Sequence, residues 1–98
     1  MERGQAFVIR LCSDKAAYEA VPKRRLNVDL TRLRRSLEHD GDYEITFWTR
    51  QLMVAKQRDA TEITIVDDGR LIIRNVADEH TAQRTAEELM QKLRASKR

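Results

Sequence analysis

The feature of this sequence that most constrains its fold is a β-hairpin pattern followed directly by a helical pattern, between residues 61 and 93. In TEITIV, Ile63 and Ile65 fall on one face of a strand, and RLIIRNV forms the return strand. The Asp67–Arg70 segment between them predicts a hairpin turn, because Asp-Gly tolerates the positive φ angle that a two-residue loop requires. Consecutive strands joined by short connections favour an antiparallel sheet.

Two segments have the periodicity of amphipathic helices. In NVDLTRLRRSLEHDG, either Asn27 or Asp29 supplies the N-cap oxygen, and Gly41 is a natural stop. The second helix begins at about Asp78 or Glu79, whose charges suit the positive end of the helix dipole. The two apolar stripes consist of Leu30, Leu33 and Leu37, and of Ala82, Ala86, Leu89, Met90 and Leu93.

Four other segments bear on the strand count. AFVIRLC, residues 6–12, reads as a strand buried on both faces, whereas SDKAAYEAVP is compatible with a helix or an extended segment. YEITFWT has period two, which predicts a half-buried strand with Ile45 and Phe47 on one face and Trp48 on the other. QLMVAKQ is also extended, so Tyr43–Gln57 forms either one long bent strand or two strands.

These patterns predict an α+β fold in which residues 1–98 form a single domain. The expected architecture is an antiparallel sheet of four to five strands with two helices packed on one face. A ferredoxin-like arrangement is the alternative. Apolar residues make up 41% of the chain and charged residues 36%, which is typical of a small globular domain and not of a disordered segment.

Several classes of function find no support in the composition. The single cysteine excludes an internal disulfide framework and a cysteine-rich zinc site. No nucleophile–base pair, phosphate loop or cluster of metal ligands is visible, so we expect no catalytic residues, no metal and no cofactor. No apolar run reaches the roughly 20 residues needed to span a bilayer, and the apolar segment within MERGQAFVIRLCS is too short for the secretory signals that we would expect to recognise. We therefore expect a cytoplasmic protein without a membrane partner.

The hairpin region and the order of the patterns before it carry a resemblance to a known family. A strand, a turn and a return strand leading into a C-terminal helix look like half of a TATA-binding-protein-like fold. More closely, the chain resembles the small C-terminal appendage of ThiF/MoeB-type adenylyltransferases, the ubiquitin-activating-like enzymes. Glu62–Asp78 corresponds to the appendage's signature, with Asp67 where that family has proline. Cys12, the basic Pro22–Arg25 segment and the helix near Leu30 follow the same order.

The resemblance spans Val8 to Leu93 but does not extend to the catalytic domain of those enzymes. No G-x-G-x-x-G segment follows a strand, and no C-x-x-C pair is present. Ser13-Asp14 also stands where the family has Gly-Arg. The resemblance therefore implies a non-catalytic protein-interaction module in a sulfur-carrier or ubiquitin-like pathway. Its partner would be an adenylyltransferase or a ubiquitin-like carrier, and an exposed sheet edge would allow a homodimer.

The charge distribution supports a second hypothesis, a nucleic-acid-binding module. The segment from residue 23 to residue 35 has six cations against Asp29, so it carries +5 while the whole chain carries +3. Clustered Lys and Arg bind phosphates, and Trp48 would stack on a base if its ring were exposed. The alternative is a solvated helix face and a packed tryptophan. The six cations are Lys23, Arg24, Arg25, Arg32, Arg34 and Arg35.

Cys12 is the one side chain with nucleophilic chemistry to consider. A reactive thiol requires a lowered pKa and exposure, and the cations Arg10 and Lys15 are near in sequence. A lone cysteine at the end of an apolar strand is more often a small core residue. Both interpretations remain open from the sequence.

Overall fold

A computed structural model describes residues 7–12 and 17–97, with the side chains of all of these except residues 10–12. Six strands and two helices follow one another in the order β1 (Phe7–Cys12), β2 (Ala17–Pro22), α1 (Leu30–Asp40), β3 (Tyr43–Trp48), β4 (Leu52–Gln57), β5 (Glu62–Val66), β6 (Leu71–Arg74) and α2 (Glu79–Ala95).

The strands form one antiparallel sheet in the order β1-β2-β6-β5-β4-β3. The predicted α+β class with two helices is confirmed, but the sheet has six strands and not four to five. Both segments that the sequence left open contribute strands: β2 pairs with β1 and β6, and Tyr43–Gln57 divides into β3 and β4. Four consecutive strands lie between the helices, which differs from the β-α-β-β-α-β order of a ferredoxin-like domain.

Thr49 separates β3 from β4. Its hydroxyl oxygen accepts hydrogen bonds from the amides of Gln51 at 3.2 Å and Leu52 at 3.0 Å. Its own amide donates to the carbonyl oxygen of Leu52 at 2.8 Å. A threonine that bonds its own backbone in this way stabilises a turn without the Gly or Pro that usually signals one.

The turn between β5 and β6 lies at the predicted place but has three residues and not two. The Val66 amide donates to the Arg70 carbonyl oxygen at 2.9 Å, and the Gly69 amide donates to the Val66 carbonyl oxygen at 2.9 Å. Gly69 has a φ angle of +99°, in the region that favours glycine. Hairpin loops of three residues commonly end in a residue with positive φ.

Both helices pack on the same face of the sheet, as predicted. The buried leucines of α1 and the apolar stripe of α2 belong to one hydrophobic core with the inward residues of the strands. The strand residues buried in this core are Phe7, Ala20, Met53, Ala55, Ile63, Ile65, Leu71 and Ile73.

Aspartates begin both helices. Asp29, not Asn27, is the N-cap of α1, and its carboxylate accepts hydrogen bonds from two first-turn amides at 3.0 and 3.3 Å. Gly41 ends that helix with a φ angle of +76°. Asp78 caps α2, and the hydrogen bond from the backbone amide of Thr81 holds the pKa of the Asp78 carboxyl below its usual value.

Two predictions about strand faces are wrong. Phe7 is 3% exposed but Val8 is 52% exposed, so β1 is not buried on both faces. The register of β3 shifts between Ile45 and Phe47. Because an extra residue in a strand reverses the alternation, Phe47 is 53% exposed and Trp48 packs toward the core.

Candidate functional site

The loop between β2 and α1 lies against the β5–β6 turn. The Leu26 amide donates to the Asp68 carbonyl oxygen, and the Val28 amide to the Asp67 carbonyl oxygen, both at 2.9 Å. A methyl group added to Gly69 would lie 3.0 Å from the side chains of Leu26 and Pro22. The glycine is therefore required for the turn and also for the close approach of this loop.

The three cations of this loop are exposed. Lys23, Arg24 and Arg25 make no ion pair or side-chain hydrogen bond within the described part of the chain. Their charges are therefore available to a partner molecule.

A cavity of about 300 Å³ lies between the loop and the last turns of α2. Its apolar wall is formed by Pro22, Leu26 and Met90. Cations surround it, and no acidic residue lines it; the three cations are Lys23, Arg24 and Arg94. We call this cavity and its lining residues the basic pocket.

Arg25 lies on a different side of the loop. It lines a more polar cavity of about 350 Å³ together with Asn27, Asp67 and Asp68. Because two acids share that cavity with Arg25, the positive potential is concentrated in the basic pocket.

The cations of α1 have contacts within the molecule. A guanidinium nitrogen of Arg32 donates to the Lys97 carbonyl oxygen at 3.4 Å. Arg34 forms an ion pair with Glu38, with Nε 3.2 Å from a carboxylate oxygen. The remaining one, Arg35, is exposed.

Trp48 does not present a free ring for a nucleotide base. The guanidinium carbon of Arg34 lies 5.1 Å from the centre of the Trp48 ring, within the range of a cation–π contact. The indole nitrogen is buried and has no hydrogen-bond partner among the described residues. Trp48 thus joins α1 to the edge strand β3.

The other predicted candidate, Cys12, is the last residue of β1 and pairs with Ala17 in the sheet. Its side chain lies outside the described residues, so a reactive thiol at this position stays a prediction. Within residues 7–12 and 17–97, no group of three or more His, Cys, Asp or Glu side chains has an arrangement that could hold a metal. No helix in this part of the chain is long and apolar enough to cross a membrane.

Besides Asp78, two side chains with displaced pKa values lie outside the basic pocket. Burial raises the pKa of Tyr43, although the hydrogen bond from Gln57, at 3.3 Å, opposes the shift. The backbone amide of Thr61 donates to Asp59 at 3.0 Å and lowers the pKa of that carboxyl. The first contact joins β3 to the end of β4, and the second lies in the turn before β5. Neither places a titrating group beside the cations of the basic pocket.

The structure therefore divides the predicted basic segment and joins one part of it to the end of α2. Sequence reasoning identified Lys23 and Arg24 but missed Leu26, Met90 and Arg94 as parts of the same site. A signal for Arg94 existed in the basic cluster near the C-terminus, which also contains Lys92, Lys97 and Arg98. Nothing in the linear sequence indicates that the two clusters meet.

Searches against protein-family models, curated proteins and solved structures find no match to this chain.

Proposed function

We propose that this protein is a non-catalytic interaction module that binds an acidic segment of a partner protein in the basic pocket. The observation that carries the proposal is the position of Lys23, Arg24 and Arg94 around an apolar wall with no acid among the lining residues. A peptide segment with an apolar side chain beside one or more carboxylates complements both parts of such a pocket.

The apolar wall favours a protein partner over a nucleic acid. Phosphate contacts need cations but gain nothing from an apolar cavity, whereas an aliphatic or aromatic side chain gains about 25 cal/mol for each Å² that it buries. The contacts of α1 also favour a protein partner over a nucleic acid, because Arg32 and Arg34 already interact with other groups of the chain.

The resemblance to ThiF/MoeB-type appendages suggests which protein the partner is. We propose an adenylyltransferase or a ubiquitin-like carrier, and a TATA-binding-protein-like half as the finer description of the fold. Support comes from the β5–β6 hairpin, which leads directly into α2, and from the cysteine at the end of β1.

Nucleic-acid binding is the competing proposal, since the loop cations are exposed and unpaired in the described part of the chain. It requires the cations of the loop and those of α1 to act together on a phosphate backbone. Its binding constant should then fall steeply with salt, because each neutralised phosphate releases counterions.

The test compares labelled peptides rich in Asp and Glu, with and without one Leu or Phe, and a single-stranded oligonucleotide. Their binding to the full chain is measured by fluorescence anisotropy over a range of salt concentrations. We expect the acidic peptide with an apolar residue to bind most tightly. Tighter binding of the oligonucleotide, with a steep salt dependence, would favour the competing proposal.

A triple variant, Lys23→Ala with Arg24→Ala and Arg94→Ala, tests the assignment of the pocket. Each exposed charge pair contributes about 0.2–1 kcal/mol, so peptide affinity should fall roughly tenfold. Leu26→Ser should reduce binding of the peptide that has the apolar residue and leave binding of the purely acidic peptide nearly unchanged.

The matched control removes the same number of charges from α1, with Arg32→Ala, Arg34→Ala and Arg35→Ala. Peptide affinity should change much less in this variant. Equal losses in the two triple variants would show that total charge, and not the pocket, determines binding. Thermal unfolding of each variant verifies that it is folded.

A further inference from the structure

The face of the sheet opposite the helices has no helix of the described chain on it. A row of three apolar side chains and one threonine crosses β3 to β6 on this face, because Phe47 pairs with Val54, Val54 with Thr64, and Thr64 with Ile72. We call it the apolar row; the next position along it, on β2, is Glu19. The two exposed large hydrophobic side chains of the described chain, Phe47 and Val8, both point to this side. Phe47 belongs to the apolar row, whereas Val8 lies on the opposite edge strand and outside it. Exposed apolar groups on one face are typical of an interaction surface.

A row of charges with alternating sign runs beside the apolar row. Glu44 pairs with Lys56, Lys56 with Glu62, and Glu62 with Arg74 across β3, β4, β5 and β6. None of these four side chains forms an ion pair within one copy of the described chain. Their charges sum to zero, which makes this face a poor surface for a polyanion.

We propose that a second copy of this chain covers the β3–β6 part of this face, in a dimer whose two-fold axis lies in the interface, parallel to the strands, between β4 and β5. This rotation sets β4 of one copy over β5 of the other. Lys56 then faces the second copy's Glu62, and Glu44 faces the second copy's Arg74. In the apolar row, Phe47 lies over the second copy's Ile72.

The charges distinguish this axis from one that is shifted by half a strand spacing. If the axis passed through β4, Lys56 would lie over the second copy's Lys56, and Glu44 over its Glu62. Both contacts are repulsive, and like charges across an interface cost several kcal/mol. With the axis between β4 and β5, each charge of the row therefore faces an opposite charge of the second copy. With an axis shifted by half a strand spacing, like charges face each other.

The size of the sheet indicates a reversible dimer. With the proposed axis, strands β3 to β6 of one copy lie over the same four strands of the other, and β1 and β2 extend beyond the overlap. Four strands about 4.8 Å apart and four to six residues long cover at most about 14 by 20 Å. That corresponds to about 300 Å² for each copy, well below the roughly 800 Å² of a standard interface, so the dimer is expected to be weak. We expect a monomer–dimer equilibrium that depends on protein concentration. No residue of the two rows on this face lines the basic pocket. The tests of the dimer and of partner binding are therefore independent of each other.

Sedimentation velocity of the full chain over a wide range of concentrations tests the proposal. We expect the weight-average mass to rise from that of one chain toward that of two. A single-chain mass at every concentration would overturn the proposal. Phe47→Asp should shift the dissociation constant at least tenfold toward monomer, because it puts a charge into the apolar row.

Charge reversal separates this interface from any other mode of dimerisation. Lys56→Glu and Glu62→Lys should each weaken self-association at least tenfold, because each places two like pairs across the axis. An equimolar mixture of the two variants should recover the mass of a dimer, since both pairs are then opposite in sign. The control variant Glu87→Lys reverses an exposed charge on α2, on the other side of the sheet, and should behave as the wild type.

The mixture is the decisive measurement because a change in folding alone would not be repaired by adding another variant. Unchanged self-association of Lys56→Glu and Glu62→Lys would place the interface elsewhere and overturn the proposal. Two weakened variants that do not recover on mixing would overturn the proposed axis.

Discussion

The basic segment from residue 23 to residue 35 has three cations in the loop before α1 and three in α1. The two groups of cations differ in the contacts that they make. In the loop, Lys23 and Arg24 are exposed beside an apolar pocket and have no ion-pair partner in the described chain. In α1, Arg34 binds Glu38 and lies over Trp48. A helix brings residues four apart together and holds their side chains against the adjacent strand, whereas a loop held by its backbone leaves its side chains free. Charge density along a sequence therefore overstates the number of cations available to a ligand.

The largest expected difference between the loop and α1 is in how much each contributes to the stability of the hydrophobic core. Leu33→Ala, in the buried stripe of α1, should lower the free energy of unfolding by about 2–5 kcal/mol, because it leaves a cavity. Leu26→Ala, in the half-buried loop, should cost about 1 kcal/mol. Urea denaturation measures both values. An equal or larger loss for Leu26→Ala would mean that the loop is as much part of the core as the helix.

Two glycines with positive φ angles provide the next comparison. Gly69→Ala should cost about 1–3 kcal/mol, since the added methyl group meets Leu26 and Pro22 as well as an unfavourable backbone angle. Gly41→Ala, at the end of α1, is the matched control, because no atom lies within 4 Å of its added methyl group. The difference between the two variants in chemical denaturation measures the contact between loop and turn. Equal costs would show that the loop moves aside.

The cap of α1 distinguishes the helix from the loop that precedes it. Asp29→Ala should lower the free energy of unfolding by about 1 kcal/mol, because two first-turn amides lose their acceptor. Asn27→Ala removes the other cap candidate of the sequence, and we expect thermal unfolding to change little. A larger effect for Asn27→Ala than for Asp29→Ala would indicate that Asn27, and not Asp29, is the N-cap of α1.

The smallest effect is expected for the arginine that joins α1 to β3. Arg34→Ala should lower the free energy of unfolding by no more than about 1 kcal/mol, because its ion pair and its cation–π contact are both partly exposed. The fluorescence of the one tryptophan should change in this variant and remain the same in Arg35→Ala. An equal change in both variants would contradict the contact between Arg34 and Trp48.

Local patterns were sufficient for much of the fold. Both helices, the glycine that ends α1 and the β5–β6 hairpin were predicted from spacing and turn chemistry, and the aspartates that cap the helices were among the residues predicted at the helix starts. These features depend on residues within a few positions of one another, and backbone geometry alone relates such residues. The number of strands was less accessible, because Thr49 forms its turn through side-chain hydrogen bonds and β2 depends on pairing with distant β6.

The faces of the edge strands and the candidate sites depended on tertiary structure. An irregularity in the pairing of β3 with β4 turned Phe47 outward and Trp48 inward, against the alternation in the sequence. The basic pocket combines a loop near residue 24 with a helix end near residue 94, and the alternating charge row exists only in the register of four strands. Periodicity reports which side of an element is buried, since that is a local property. Which distant side chains become neighbours depends on strand order and register, and these are set by the packing of the whole core.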